Sequence, residues 1–229
     1  LIFFKIFQFF DKYSLKFRKI AFSKTDPITY QIESDWSGAS YWYSVLALSQ
    51  DPESRVKLLG LKEQSLQGDS AIVEIMAKLG VKSEFHEDGV LLTKIPAAKT
   101  LEWDFTNCPD LCQTVAVTVA ALGIKATFTG IESLKIKETD RVHAIQTELA
   151  KINAQMDEIE TNHKYVVTSS FDKNSYNNTP VIDTYEDHRM AMAFAPLSML
   201  INLKINEPDV VVKSYPEFWD DLSKVVTMA

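Results

Sequence analysis

Long apolar runs alternate with amphipathic ones along this chain, and the alternation recurs. Residues 30–33 read as a strand, 37–49 as a helix apolar on nearly every side, 55–61 as a strand, 69–79 as an amphipathic helix, and 82–95 as two strands turning at Glu87-Asp88-Gly89. That order is βαβαββ. It returns about 70 residues further on, a period that points to a structural repeat. Strand 101–106, apolar helix 109–122 and strand 125–131 lead to an amphipathic helix, 138–152, with Val142, Ile145, Leu149 and Ile152 at helical spacing, and then to two strands within 154–170. Short echoes accompany the pattern: Gly60-Leu61-Lys62-Glu63 stands where Gly130-Ile131-Glu132-Ser133 stands, and Gln67-Gly68-Asp69 where Lys137-Glu138-Thr139 stands. After a polar loop, 171–180, a third unit runs through strand 181–185, an apolar helix from Asp187, strand 203–206 and helix 215–225, and the chain stops before a final strand pair. Upstream of all three units, 3–11 reads as a helix and 13–23 as a strand or hairpin, until Lys24-Thr25-Asp26-Pro27 breaks the pattern.

A helix that is apolar all round belongs inside a protein, and one with a single apolar stripe lies against it. The units therefore predict an α+β architecture with buried helices under outer sheets. The buried helices' N-termini should converge, so that Ser34, Asp35 and Ser37, then Asp110, then Asp187, His188 and Arg189 meet at one end. Three unrelated α+β segments are the alternative. Pro196, well inside the third unit's apolar helix, should kink or end it.

Two charged runs stand out against this pattern. Lys137-Glu138-Thr139-Asp140-Arg141 opens the second unit's amphipathic helix, with Lys137, Glu138 and Arg141 on the side opposite the apolar stripe. The first-turn amides of a helix lack helical partners and the macrodipole adds positive charge, so such an end suits an anion. A solvated, salt-bridged first turn is the bland alternative. Asp187-His188-Arg189-Met190-Ala191-Met192 sets an acid, an imidazole and a guanidinium at the mouth of a buried helix, where charges need partners. Alone, that run would be a structural ion-pair network; together the two runs favour a site for a phosphorylated or carboxylated ligand.

The chain has 229 residues, 46% of them hydrophobic and 24% charged, which allows one large or two modest domains and fits a soluble globular protein. Its net charge of −7 argues against a general binder of nucleic acid or anionic membrane, so an anion would have to be gathered by a local cluster of Lys and Arg. Cys108 and Cys112 have no His or further Cys at ligand spacing, so they make neither a disulfide framework nor a zinc site, and a reducing, cytoplasmic setting fits. The first ten residues are too short to span a bilayer and lack a basic n-region and a small-residue cleavage site, so they read as an amphipathic or core helix. A start at Leu1 rather than Met suggests a fragment or a processed product.

Ser34-Asp35-Trp36-Ser37-Gly38-Ala39-Ser40-Tyr41, Ser65-Leu66-Gln67-Gly68-Asp69 and the two charged runs together resemble the C-terminal half of the 3-phosphoshikimate 1-carboxyvinyltransferase (enolpyruvyl-shikimate-phosphate synthase) family. The match runs in order from about residue 30 to the end. The resemblance implies two domains, each an inside-out α/β barrel of repeated βαβαββ units, with ligands in the cleft between them. Residues 1–34 would be a remnant of the N-terminal domain and 35–229 the C-terminal enolpyruvyltransferase-type domain. The implied reaction moves the carboxyvinyl group of phosphoenolpyruvate onto the 5-hydroxyl of shikimate 3-phosphate through a tetrahedral intermediate, releasing phosphate, in aromatic amino-acid biosynthesis. No metal or organic cofactor is implied.

By the same resemblance, Asp110 matches the carboxylate that orients and deprotonates the 5-hydroxyl, Lys137 the lysine that holds shikimate 3-phosphate, and Glu138 the acid beside the phosphoenolpyruvate methylene. Arg141, His188, Arg189 and Lys213 match the residues around the phosphoenolpyruvate carboxylate and phosphate. Several fixed cations suit a dianionic phosphate leaving beside a carboxylate, and the planar fork of arginine fits both groups. Ser133 departs from the family pattern by standing where an asparagine contacts shikimate 3-phosphate. The N-terminal domain and its share of both sites are missing, so the chain alone should be inactive. A carboxyvinyltransferase acting on a UDP-sugar and a non-catalytic interaction module are the alternatives.

Overall fold

The computed structural model describes residues 32–137, 139–176 and 178–226. All of them but Ile32 belong to one compact unit that begins at Glu33. The helix and strands expected within 3–23 lie outside the described residues, as does the first half of the strand at 30–33; Ile32 and Glu33 themselves form no strand.

In chain order the elements are α1 (Trp36–Leu48), β1 (Arg55–Leu59), α2 (Ile72–Lys78), β2 (Val81–His86), β3 (Gly89–Lys94), β4 (Thr100–Asp104), α3 (Cys112–Ala121) and β5 (Lys125–Thr129). They continue as α4 (Arg141–Ala150), β6 (Ala154–Glu160), β7 (Lys164–Ser169), β8 (Val181–Ile182), α5 (His188–Phe194), β9 (Lys204–Ile205) and α6 (Phe218–Leu222). Short 3₁₀ turns lead into α2 and α3, and others lie at Glu132–Ile136, Ala195–Met199 and Pro208–Lys213.

The first two units share one topology. Strands β1 and β2 both run antiparallel to a central β3, and β5 and β6 both run antiparallel to a central β7. The second sheet adds β4, parallel to β5, as an edge. The first unit keeps a trace of that edge: the amide of Ser34 donates to Gly60 O at 3.1 Å, much as Phe105 donates to Thr129 O at 2.9 Å. Gly60 and Gly130 follow the equivalent strands with φ of 75° and 71°, a region that favours glycine, and a Cβ would strike Ser34 at one and Asp104 and Thr106 at the other. The sequence echo at these glycines is thus one turn used twice. In the third unit β8 and β9 form a short parallel pair.

Helices α1 and α3 are buried nearly all round, as their composition requires, with ten of thirteen and nine of ten residues inside. They touch through equivalent positions. Ser40 meets Thr114 (Oγ···Oγ1 3.3 Å) and Ser44 meets Thr118 (2.7 Å), each pair 74 residues apart. Small hydroxyls let the backbones approach while satisfying each other. Helix α5 packs on α3, and the turn that continues it packs on α1. That turn is where Pro196 acts: the α-helix ends at Phe194 and the chain tightens into 3₁₀ geometry. Among the described residues no helix is long and apolar enough to cross a membrane.

The second unit's amphipathic helix, α4, starts later than expected. Asp140 caps it, accepting the amide of His143 at 3.0 Å, so Arg141 is its first residue and Lys137 lies outside it in extended geometry. Its buried stripe is Arg141, Val142, Ala144, Ile145, Glu148 and Leu149. Arg141 is therefore on the inward side with the apolar residues, not opposite them. Helix α6 is also shorter than the expected 215–225; Phe218 anchors it between Tyr41, Tyr215 and Trp219 with ring centroids 4.9 to 5.9 Å apart.

Candidate active site

The ends of α1, α3, α4 and α5 bring the charged residues together. Asp187 caps α5 by accepting the amide of Arg189 at 2.8 Å, and Asp110 sits in the turn Pro109–Leu111, where proline suits the first helical position. Arg141 reaches both acids. Its Nε and Nη2 donate to Asp187 Oδ2 and Oδ1 at 2.5 and 3.4 Å, and its Nη1 donates to Asp110 Oδ1 at 3.0 Å. Arg189 Nη2 lies 2.9 Å from the other oxygen of Asp110. One carboxylate thus bridges two guanidiniums that belong to different repeats.

Burial sets the energetics. Arg141 is 2% exposed and Asp187 1%, so each depends on the other; an unpaired charge in such a place costs about 3–5 kcal/mol. Asp110 is more open, with its side chain 29% exposed. Asp110 and Asp187 compensate the charge of both arginines. Around Arg189, burial opposes the charge, and the oxygen of Tyr41 with the carboxylates of Asp110, Asp69 and Asp187 outweighs it, holding the guanidinium charged. Burial pushes Asp69 above the usual carboxylate range despite a hydrogen bond from Ser37 Oγ and the nearby Arg189. Burial likewise pushes His188 below the ordinary imidazole range; Asp187 opposes that shift, while Arg189, Arg141 and Lys213 add to it. The shift favours the neutral imidazole, whose Nδ1 lies 3.8 Å from Asp187.

A cavity of about 30 Å³ beside Arg189 is lined by Asp35, Ser37, Tyr41 and His188 among others, room for about one water molecule. A larger cavity of about 440 Å³ lies elsewhere, between Lys173, Tyr176, Asn178 and Thr179 and residues 198–202, and none of the charged residues above lines it. Charge convergence rather than enclosed volume locates the site, since a site open on one side encloses little space.

The remaining expected residues are less closely joined. Lys213 ends the turn Pro208–Lys213 and its charge is felt at His188. Ser133 and Lys137 are exposed in or just after the turn Glu132–Ile136, and among the described residues no hydrogen bond or ion pair links either to the cluster. Glu138 lies outside the described residues. Asp69 and Tyr41, which face Arg189, had no signal of their own in the sequence beyond lying in two motif segments. Cys108 and Cys112 are free and buried, and burial pushes both thiols up, away from reactivity.

Solved structures share this fold. An EPSP synthase from Acinetobacter baumannii superposes with a TM-score of 0.66 at 17% identity, over 85% of this chain and 46% of that one. The enolpyruvyl transferase NikO from Streptomyces tendae superposes with a TM-score of 0.57 at 12% identity, over 85% of this chain and 43% of that one. The fold is that of an enolpyruvyl transferase. Within the class, the profile of the EPSP synthase (3-phosphoshikimate 1-carboxyvinyltransferase) family matches residues 19–222, and the chain belongs to that family. A 3-phosphoshikimate 1-carboxyvinyltransferase of Bacteroides fragilis is 45% identical over 199 residues, which are 86% of this chain and 47% of that relative. The chain spans about half the length of the curated relatives it matches.

Proposed function

We propose that the chain supplies one wall of the active site for transfer of the carboxyvinyl group of phosphoenolpyruvate to the 5-hydroxyl of shikimate 3-phosphate, with release of phosphate. The observation that carries this reading is the convergence of Arg141 and Arg189, from two repeats, on the single carboxylate of Asp110. In this reading residues 35–229 form the C-terminal enolpyruvyltransferase-type domain, their units completing an inside-out barrel, and 1–34 belong to the N-terminal domain. The rest of the site comes from that domain. A cytoplasmic location goes with the reading, since both thiols are unpaired.

The chemistry follows from an exchange of partners. The anionic groups of phosphoenolpyruvate take the guanidinium edges now held by Asp110, with Lys213 and His188 alongside. Asp110 is thereby released toward the 5-hydroxyl, which it orients and deprotonates as its oxygen adds to the enol carbon. The methylene carbon gains a proton in that step, from Glu138 in this assignment, and returns it as the C–O bond to phosphate breaks. Lys137 and Ser133 hold shikimate 3-phosphate. Fixed guanidiniums stabilise the charge that gathers on the departing phosphate.

Titration of the chain with phosphoenolpyruvate and shikimate 3-phosphate, followed by amide chemical shifts, tests the reading. Perturbation at Arg141 and Arg189 by phosphoenolpyruvate is expected, with no turnover by the chain alone. Shifts absent from both arginines at millimolar ligand, or a response to a UDP-sugar in place of shikimate 3-phosphate, would overturn it.

A further inference from the structure

The buried stripe of α4 carries a second charged residue, Glu148, two turns beyond Arg141 and wholly inaccessible. Its carboxylate accepts the amide of Asp183 at 3.0 Å and the hydroxyl of Tyr185 at 2.8 Å, and Lys151 Nζ lies 2.7 Å away. Lys151 also holds the Asp183 side chain at 2.7 Å, where Asn206 donates from the other side. One helix face thus grips the segment leading to α5 at both ends: Glu148 at 183–185 and Arg141 at Asp187.

Between the two grips the backbone is strained. Asp187 N donates to Thr184 O at 2.9 Å, closing a four-residue turn whose central residues, Tyr185 and Glu186, have φ of 55° and 57°. A turn with both central residues left-handed is the type I′ pattern, which selects glycine, asparagine and aspartate. Tyrosine and glutamate in succession there need an outside hold. The Glu186 side chain is exposed, so the hold comes through Tyr185, whose ring reaches back to Glu148.

We propose that Glu148 and Tyr185 are positioning residues for the anion site: their hydrogen bond keeps the strained turn shut and so fixes Asp187 and Arg189 against Arg141. The buried acid has no apolar reason to sit on that stripe, and both its oxygens are spent on the segment carrying half of the site. The inference deepens the proposed function, on which its affinity arm rests, whereas its exchange arm does not depend on any ligand.

The test uses the 229-residue chain with Tyr185→Phe, which removes one hydroxyl, and Glu148→Gln as a second variant that keeps size but cannot accept both bonds. In each, amide hydrogen exchange over 184–190 is expected to quicken about tenfold or more while β6 and β7 keep their protection. Phosphoenolpyruvate affinity should fall about tenfold, as misplacing one of two coupled cations would require. Adding Glu186→Gly, which adopts the left-handed turn freely, should restore most of that loss. Unchanged exchange at 184–190, uniform quickening along the chain, or an affinity loss that glycine leaves untouched would overturn the proposal. If the unaltered chain binds no phosphoenolpyruvate, the functional reading fails and the exchange result alone decides the clasp.

Discussion

Asp35 caps α1 at an exposed corner, accepting the amides of Ser37 and Gly38 at 3.2 and 2.7 Å, whereas Asp187 caps α5 inside the protein and holds the guanidinium of Arg141 as well. The backbone job is common to both, because the first amides of any helix need acceptors. The difference lies in what arrives from elsewhere. In the first unit the loop into α2 is tied by Gln67, which accepts from Trp36 N and donates to Ser34 O, and by Glu33, which accepts from Trp36 Nε1 and Ser65. In the second, the loop into α4 delivers a buried arginine to a carboxylate 46 residues away. The repeat supplies equivalent places, and the charges placed in them turn one place into a candidate site.

That contrast is easiest to break at the acids themselves. Asp187→Ala should destabilise the folded chain by about 3–5 kcal/mol in urea unfolding, because it removes the buried carboxylate that pairs with Arg141 Nε and Nη2, while Asp35→Ala should cost only about 1 kcal/mol, the loss of an exposed cap. Equal costs would mean that Asp187 is no more than a cap. Asp110→Asn should lower turnover on the order of a hundredfold in a full-length enzyme carrying this chain, with phosphoenolpyruvate binding much less affected. Near-normal turnover would confine Asp110 to bridging the two guanidiniums.

The smallest effect sharpens the comparison by pH. Burial raises the carboxyl pKa of Asp69 in the folded state, so the stability linked to its protonated form is present below the usual carboxylate pKa of about 4 and lost as pH rises through the raised value. Asp69→Asn escapes that loss. Its melting temperature relative to the parent should therefore climb between pH 4 and pH 7, and a flat difference would mean that Arg189 and Ser37 fully offset the burial of Asp69.

Periodicity made much of this fold legible. The nearly all-apolar stretches of α1 and α3 could only be buried, and the Gly60 and Gly130 echo marked one turn occurring twice. The convergence of Asp35, Asp110, Asp187 and Arg189 followed from the repeat itself. Arg141 was misplaced because charge argues for solvent, although its spacing to Ile145, Glu148 and Leu149 puts it on the buried stripe; partners distant in sequence, Asp187 and Asp110 among them, make that burial tolerable. Lys137 and Thr139 were read into the helix because nothing in their polarity excludes them, whereas the Asp140 cap does. Glu148 was invisible for the same reason as Arg141: its partners, Asp183 and Tyr185, belong to another unit.

The central claim is that Arg141 and Arg189 act on one anion. A double-mutant cycle on phosphoenolpyruvate affinity, with Arg141→Lys and Arg189→Lys singly and together in a full-length enzyme carrying this chain, measures it directly, since lysine keeps the charge but not the bidentate fork. The account predicts a coupling energy of about 0.5–3 kcal/mol, as for residues that share a ligand, with shikimate 3-phosphate affinity spared. Coupling indistinguishable from zero, with folding stability rather than affinity lost in each single variant, would contradict it and leave the cluster as an ion-pair network that only holds the fold.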